Sequence, residues 1–183
     1  MSRGDVRRQD LAMDNSEARR FLERGRVARV ATADAGGEPY VVPMIYACGE
    51  DYILLHSSGA GRFHRNVLAR SRICLEVSVP GPVFPYGSTE CDSSMSYESV
   101  IVAGSVAVVM DRPARQRFFD QLMAKYSDPA LDRPKSFYPR IDIVAVYRMT
   151  IENLSGKRIP LPPTTEQWPA VNRSRTPNAV PPG

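Results

Sequence analysis

The segment from Glu98 to Met110 predicts a β-strand that is too long to lie flat in a sheet. At about 3.3 Å per residue it would extend for about 40 Å. Gly104 lies near its middle, and a glycine inside a strand often marks a tight bend. A long strand that bends suits a small barrel better than an open sheet.

The longest nearly apolar run, Val100 to Met110, covers only 11 residues. A membrane-spanning helix needs roughly 20, so we expect no integral membrane protein and no membrane partner. Residues 1–13 are charged and lack the apolar stretch of a secretory signal, which indicates a cytoplasmic protein. The three cysteines are an odd number without CxxC spacing, so we expect reduced thiols.

Alternating apolar residues predict a mainly β fold with flanking helices, most clearly where Ile73, Leu75, Val77 and Val79 share one face. The six predicted strands cover approximately residues 26–33, 39–48, 51–57, 73–79, 98–110 and 143–151. Helices are predicted from a cap at Asp14, Asn15 or Ser16 to Arg24, over 61–70, and over 112–126 after a cap at Asp111. Short turns join the first three strands, so we expect an antiparallel meander.

Three regions fall outside these regular elements. Residues 81–97, with two prolines and two glycines, are expected to form a functional or mobile polar loop. Residues 1–13 are expected to be flexible, and residues 158–183 to form a proline-rich tail. One domain, residues 14–157, remains, and a homodimer would cover its exposed sheet edges.

The net charge of +4 belongs to the two ends of the chain. Between residues 31 and 156 there are twelve Lys and Arg residues against fourteen Asp and Glu residues. A nucleic-acid-binding protein more typically carries a basic face on its folded part. We therefore expect no nucleic-acid partner.

Two segments have the composition of a ligand site. Pro39–Tyr46 places prolines inside a strand, which indicates an edge or bulge with free backbone groups that could contact a flat heteroaromatic ring. Leu55–Arg65 leads from a strand through hydroxyls and glycines into a helix start, where free amides and arginines could hold a phosphate. A protected edge strand and a plain strand-to-helix turn are the purely structural alternatives.

A third segment, Ser96–Gly104, introduces Ser99 into the long strand, where its hydroxyl would bond either a ligand or the neighbouring backbone. The two histidines and three cysteines lack metal-ligand spacing, so no metal site is expected. No GxSxG motif or His-bearing motif completes a nucleophilic triad. A chain with a phosphate-type turn and no acid–base set indicates that a cofactor supplies any chemistry.

Taken in this order, these segments resemble the FMN-binding split barrels related to pyridoxamine 5′-phosphate oxidase, and in particular the flavin-nucleotide-binding, nitroimidazole-resistance type. The resemblance covers about residues 17–157. It rests on Arg26–Ala33, Pro39–Tyr46, His56-Ser57 with Gly61-Arg62, Tyr97–Val100 leading to Gly104, and Ser155–Lys157.

The resemblance implies a six-stranded antiparallel split β-barrel and a homodimer that binds two FMN molecules at its interface. It implies that the main chain of Val42, Pro43, Met44, Ile45 and Tyr46 lies against the isoalloxazine ring, that His56, Ser57, Gly61 and Arg62 lie near the ribityl phosphate, and that Ser99 closes the site. The basic phosphate-binding residues of the pyridoxamine phosphate oxidases proper are not matched. Pyridoxamine phosphate is therefore not the expected substrate.

The leading hypothesis is an FMN-dependent oxidoreductase that transfers electrons to a small organic acceptor, such as a nitro compound or a quinone. The alternative is a non-catalytic module of the same fold that holds flavin or haem, with His56 or His64 as an axial ligand. Deazaflavin is a further alternative cofactor.

Overall fold

The computed structural model describes residues 6–86, 91–128 and 136–163. Within these ranges the chain forms nine β-strands, three α-helices and one short 3-10 turn, Gln9–Leu11. The strands are β1 (Ala12–Met13), β2 (Ala28–Ala33), β3 (Pro39–Met44), β4 (Ala47–Cys48), β5 (Tyr52–Ser58), β6 (Arg72–Pro85), β7 (Ser93–Val108), β8 (Val144–Thr150) and β9 (Asn153–Ile159). The helices are α1 (Asn15–Arg24), α2 (Arg62–Ala69) and α3 (Arg112–Tyr126).

The strands form two antiparallel sheets that share β7. The first sheet has the order β3-β2-β6-β7-β9-β1, and the second has the order β7-β8-β5-β4. The strands β3 and β4 end the curled arrangement and do not pair with each other, so the barrel is split between them. This confirms the predicted class, although the described residues contain more strands than the six expected.

Gly104 is the point at which β7 passes from one sheet to the other. Up to Gly104 and Ser105 the strand pairs with β6, and from Val106 it pairs with β8. A Cβ atom at Gly104 would overlap the carbonyl oxygen of Thr150. The predicted bend is therefore confirmed, and glycine is required there because β8 approaches so closely.

The main core fills the barrel. It contains fully buried side chains from α1 and from strands of both sheets, including Leu22, Val30, Leu55, Leu75 and Tyr147. A smaller cluster lies where α3 covers the outer face of the second sheet, with Phe118 and Leu122 packed on Val146. The second sheet is therefore covered on both faces.

All three helices begin and end close to their predicted bounds. Asp14 caps α1, and a capping box joins it to Glu17, whose amide donates to the Asp14 carboxylate at 2.8 Å. Asp111 caps α3 by accepting from the amide of Ala114. The residues that cap helices were therefore readable from the sequence, because capping depends on local chemistry.

The predicted meander is confirmed in its two antiparallel pairings and wrong in its middle strand, which is not continuous. Residues 39–48 divide into β3 and β4, and these strands pair with β2 and β5 respectively. The division occurs at Ile45 and Tyr46, and the buried Tyr46 hydroxyl donates to the carbonyl of Leu22 in α1. Burial of this ring makes the chain cross from the first sheet to the second instead of turning back on itself.

The predicted polar loop at 81–97 is also wrong for its described residues. There, β6 continues to Pro85 and β7 begins at Ser93, and the two strands pair as an extended hairpin. The ladder shifts register between Pro80 and Val83, and this irregularity accommodates prolines that would otherwise interrupt the pairing. Residues 87–90 of the predicted loop lie outside the described residues.

The two ends of the domain meet where β1 pairs with β9, with Ala12 opposite Lys157. Strand β9 continues to Ile159, and Arg158 bonds Glu98 at 2.6 Å and Glu17 at 3.3 Å. Residues 1–5 of the predicted flexible N-terminus and residues 164–183 of the predicted tail lie outside the described residues. Among those that are described, no helix has the length and apolar character needed to cross a membrane.

Candidate functional site

The start of α2 is an open helix N-terminus. Gly61 is its N-cap residue, and no side chain caps the first turn. Unpaired amides at a helix start, together with the helix dipole, attract anions. Added Cβ atoms at Gly59 and Gly61 would meet nothing closer than 3.9 Å, so there is space for an anion to approach.

Arg62 connects this helix start to β3. Its guanidinium lies 4.8 Å from the ring centroid of Tyr40, and Nη2 lies 3.5 Å from the carbonyl oxygen of Pro39. The side chain is exposed and can therefore reach a ligand. The structure thus brings the two predicted segments, Pro39–Tyr46 and Leu55–Arg65, together. Arg65 is different, because it donates to the carbonyl of Ala60 at 3.0 Å and holds the turn.

Ser57 belongs to a hydrogen-bond network that the sequence analysis did not identify. The buried Tyr147 hydroxyl lies 2.8 Å from Ser57 Oγ and 2.8 Å from His64 Nδ1. Ser57 Oγ also donates to the carbonyl of Ser58 at 3.1 Å. Because the Ser57 hydroxyl proton points to the Ser58 carbonyl, Ser57 Oγ accepts a hydrogen bond from the Tyr147 hydroxyl. The Tyr147 oxygen in turn accepts a hydrogen bond from His64 Nδ1.

The network keeps a hydroxyl beside the start of α2. Burial raises the pKa of Tyr147, so its phenol stays protonated and able to donate. Its ring is also fixed by Phe63, whose ring centroid lies 5.2 Å away at an edge-on angle. Ser57 is therefore held in a defined orientation close to the uncapped amides.

Strand β3 has one free edge, because β2 is its only partner among the described strands. Val42 and Met44 pack against the core, whereas Pro43 faces outward and Ile45 is exposed. Alternate backbone groups along the free edge are available to a ligand. Arg62 lies at the Pro39–Tyr40 end of this edge. A ligand that joins a flat ring to a phosphate needs such a cation close to the edge that contacts the ring.

Tyr46 contributes differently from its neighbours. Its side chain is fully buried, and its amide donates to the hydroxyl oxygen of Tyr126 at 3.2 Å. The same hydroxyl lies 2.9 Å from the carbonyl of Arg26 and 3.1 Å from that of Tyr46, and it can donate to one at a time. The backbone of Tyr46 is therefore held by α3, which leaves Val42 to Ile45 to contact a ligand.

His56 lies on the opposite face of β5 from Ser57, since successive residues of a strand point to opposite sides. Its ring packs between Phe118 and Phe119 of α3, with centroid distances of 5.7 Å to each. Nδ1 is buried and has no hydrogen-bond partner in the described part of the chain. Burial lowers the pKa of His56, which favours the neutral ring. His56 is thus not placed beside the start of α2.

Ser99 is also separate from these residues within one chain. It pairs with Ser78 of β6 and Lys157 of β9 on the outer face of the first sheet. Three strand spacings separate β7 from β3, a distance of roughly 14 Å. Ser99 therefore reaches the β3 edge only if another molecule or a second copy of the chain bridges this face.

Three solved structures illustrate the similarity of this fold to known proteins. A flavocytochrome from Azotobacter vinelandii has 23% identity and a TM-score of 0.71, covering 91% of this chain and 79% of that one. A candidate 5-nitroimidazole antibiotic resistance protein from Bacteroides thetaiotaomicron has 22% identity and a TM-score of 0.67, covering 80% and 86%. An FAD- and heme-binding protein from Mycobacterium smegmatis has 18% identity and a TM-score of 0.64, covering 84% and 76%.

These identities show a shared fold. Among curated proteins, none matches this chain at a significant level. The sequence model of the family described as pyridoxamine 5′-phosphate oxidase matches residues 14–158, which is most of the folded chain. The chain therefore belongs to the pyridoxamine 5′-phosphate oxidase family, and its split barrel is the fold of that family.

Proposed function

We propose that this protein is a cytoplasmic, homodimeric FMN-binding oxidoreductase that passes electrons to a small organic acceptor, such as a nitro compound or a quinone. The observation that carries the proposal is the uncapped start of α2 next to Arg62 and the free edge of β3. Flavin- and haem-binding structural neighbours add support. Bound FMN would supply the electron transfer.

The residues at the start of α2 suit the phosphate of FMN. The amides of the first turn would donate to phosphate oxygens, the Ser57 hydroxyl would do so by turning its proton away from the Ser58 carbonyl, and Arg62 would add a charged donor. The free edge of β3 from Val42 to Ile45 would offer backbone donors and acceptors to the ring. Charged groups would therefore hold the phosphate at one end of the flavin, and main-chain groups would bond the ring at the other end.

A homodimer is proposed because one chain does not complete the site. The outer face of the first sheet exposes the apolar side chains of Val27 and Val41, whose exposed fractions are 47% and 58%. Ser99 lies on this face. A second copy packed there would cover the apolar side chains and could bring its own Ser99 to the flavin. Sedimentation of the full chain should give the mass of a dimer.

The phosphate anchor is tested with Arg62→Ala. Loss of a charged hydrogen bond to phosphate should weaken FMN binding roughly ten- to a hundred-fold, whereas riboflavin, which lacks the phosphate, should bind almost as before. The stacking of Arg62 on Tyr40 contributes about 0.5–1 kcal/mol at an exposed site, so folding should change little. Fluorescence titration of both ligands measures the difference.

Arg70→Ala is the matched control, since this arginine lies at the opposite end of the same helix and donates to the carbonyls of Asp34 and Ala35 at 2.8 Å each. It should leave the ratio of FMN to riboflavin affinity unchanged. Equal losses for FMN and riboflavin in the Arg62 variant would place Arg62 away from the phosphate. No loss for either ligand would remove the start of α2 from the site.

The second candidate function is a non-catalytic module that holds flavin or haem. The observation that favours it is His56, whose buried Nδ1 has no partner among the described residues. A Soret band in protein purified without added cofactor supports the haem form of this module. A flavin spectrum fits both functions, and the two are then separated by whether a nitro compound or quinone reoxidises the reduced flavin. Mass spectrometry of the released cofactor distinguishes FMN from deazaflavin.

A further inference from the structure

A cleft of about 300 Å³ lies on the outer face of the first sheet, between residues 6–8 and strands β7 and β9. We call it the amino-terminal cleft, and its lining includes Arg7, Tyr97, Ser99, Ile101, Ser155 and Lys157. Its volume is at the lower end for small-molecule sites, enough for a ligand with one ring.

The cleft exists because the N-terminal segment turns over the sheet. Strand β1 pairs with the edge of β9, and the turn at Gln9–Leu11 comes just before it. Residues 6–8 then lie over the outward side chains of β7 and β9. The register of these strands places Ser99 opposite Lys157 and Ile101 opposite Ser155, so polar and apolar groups alternate along the floor.

The electrostatics of the cleft are one-sided. Three of its lining residues are basic and none is acidic. Arg8 is paired with Asp10 at the rim, with Nε 2.8 Å from Oδ1. Arg7 and Lys157 have no ion pair within 4 Å in the described ranges, although the Asp10 carboxylate attracts Lys157 from the rim. Lys157 Nζ lies 5.5 Å from the ring centroid of Tyr97. Two cations are therefore available to a ligand.

The floor of the cleft adds hydrogen-bond donors and an apolar surface. The hydroxyls of Ser99 and Ser155 have no hydrogen-bond partner among the residues that the structure describes. Ile101 has 45% of its surface exposed there, and Tyr97 offers an aromatic ring. This combination of cations, hydroxyl donors and apolar surface complements a small ring that carries a carboxylate.

We infer that the amino-terminal cleft binds a small aromatic carboxylate, with Lys157 and Arg7 holding the carboxylate and Ile101 contacting the ring. The identification of this carboxylate as the electron acceptor rests on the proposed function, because Ser99 is shared between this cleft and the proposed flavin site. The anionic group, rather than the ring alone, then selects the acceptor.

Binding is tested on the full chain with benzoate and its neutral analogue benzamide, followed by calorimetric titration. Benzoate should bind at least about ten-fold more tightly than benzamide, because only it pairs with the cations. Lys157→Met should weaken benzoate binding roughly ten- to a hundred-fold and leave benzamide unchanged. Equal binding of the two probes, or a Lys157 variant that binds benzoate normally, would overturn the assignment.

Two further variants protect this test. Arg7 lies outside the sheet, so the Arg7→Gln variant should fold even if Lys157→Met does not. It should also weaken the binding of benzoate but not that of benzamide. Arg112→Gln removes an exposed arginine that is paired with Asp142 at the start of α3. Benzoate binding should be unaffected by this control, and an equal loss there would indicate nonspecific charge attraction.

The acceptor assignment is tested separately with protein whose FMN has been reduced by one equivalent of dithionite. In the reaction, 4-nitrobenzoate takes two electrons and two protons to give the nitroso compound and water, while the reduced FMN is reoxidised. Reoxidation at low acceptor concentration should be about ten-fold faster with 4-nitrobenzoate than with 4-nitrobenzamide, and Lys157→Met should remove this preference. Equal rates in the wild type would refute the acceptor role.

The two proposals fail in different ways. Benzoate binding by a protein that does not bind FMN would keep the cleft assignment and overturn the proposed function. FMN binding with no discrimination between benzoate and benzamide would keep FMN binding as proposed and overturn the cleft assignment.

Discussion

At the scale of single residues, His56 shows how burial couples folding to pH. Its ring is enclosed by two phenylalanines, and burial lowers its pKa below the ordinary value of 6.5. The unfolded chain therefore binds more protons than the folded chain as the pH falls below about 6.5. The stability that depends on a neutral His56 is present above this pH and is lost below it.

We expect the free energy of unfolding to fall as the pH is lowered from about 7 to about 5, and His56→Phe to reduce that slope. Phenylalanine keeps a ring between Phe118 and Phe119 and cannot be protonated. Urea denaturation of both proteins across this range is the measurement. The same slope in both would show that other groups determine the acid sensitivity.

The site residues were only partly predictable from the sequence. Composition alone indicated an anion-binding turn at residues 55–65, because hydroxyls, glycines and arginines cluster there. Strand alternation places His56 and Ser57 on different faces, but composition did not reveal that the His56 face is covered by α3, which depends on how β5 packs. The role of Tyr147 was not predicted because this residue is 90 positions away from Ser57 in the sequence, and local sequence patterns do not indicate such a contact.

At the scale of elements, the close contact between Gly104 and β8 makes the bend in β7 intolerant of side chains. Gly104→Ala should destabilise the fold by about 3 kcal/mol, the upper range for overpacking, because the obstacle is backbone. Gly59→Ala is the control, since its Cβ would be 3.9 Å from that of Ala145. Chemical denaturation compares them, and similar losses in both variants would contradict the argument.

Helices and strands were predicted correctly where their bounds depend on neighbouring residues in the sequence. They were predicted wrongly where their bounds depend on which strands pair. Helix caps such as Asp14 and Asp111 act within one turn. The prolines between residues 80 and 85 indicated a loop, but a register shift lets β6 pair past them. The break at Tyr46 was hidden because its cause is a contact with α1.

At the scale of the whole molecule, β9 is the last element of the described residues. Truncation after Pro163 keeps Ile159 in β9 and Arg158 on Glu17 and Glu98, so we expect a cooperatively folding dimer. Truncation after Lys157 removes both residues and should lower the unfolding midpoint. Thermal denaturation and sedimentation measure these outcomes. Aggregation or a monomer after truncation at Pro163 would show that the tail packs across the interface.

The sharing of β7 between the two sheets has a consequence for amide hydrogen exchange. Its backbone hydrogen bonds reach β6 and β9 on one side of the bend and β8 on the other. Neither sheet can detach without disturbing this strand, so the slowest amides of the chain should be those of Val100 to Val106, exchanging through global unfolding. The terminal strands β3 and β4 have one neighbour each and should exchange earlier, by local fraying at the split.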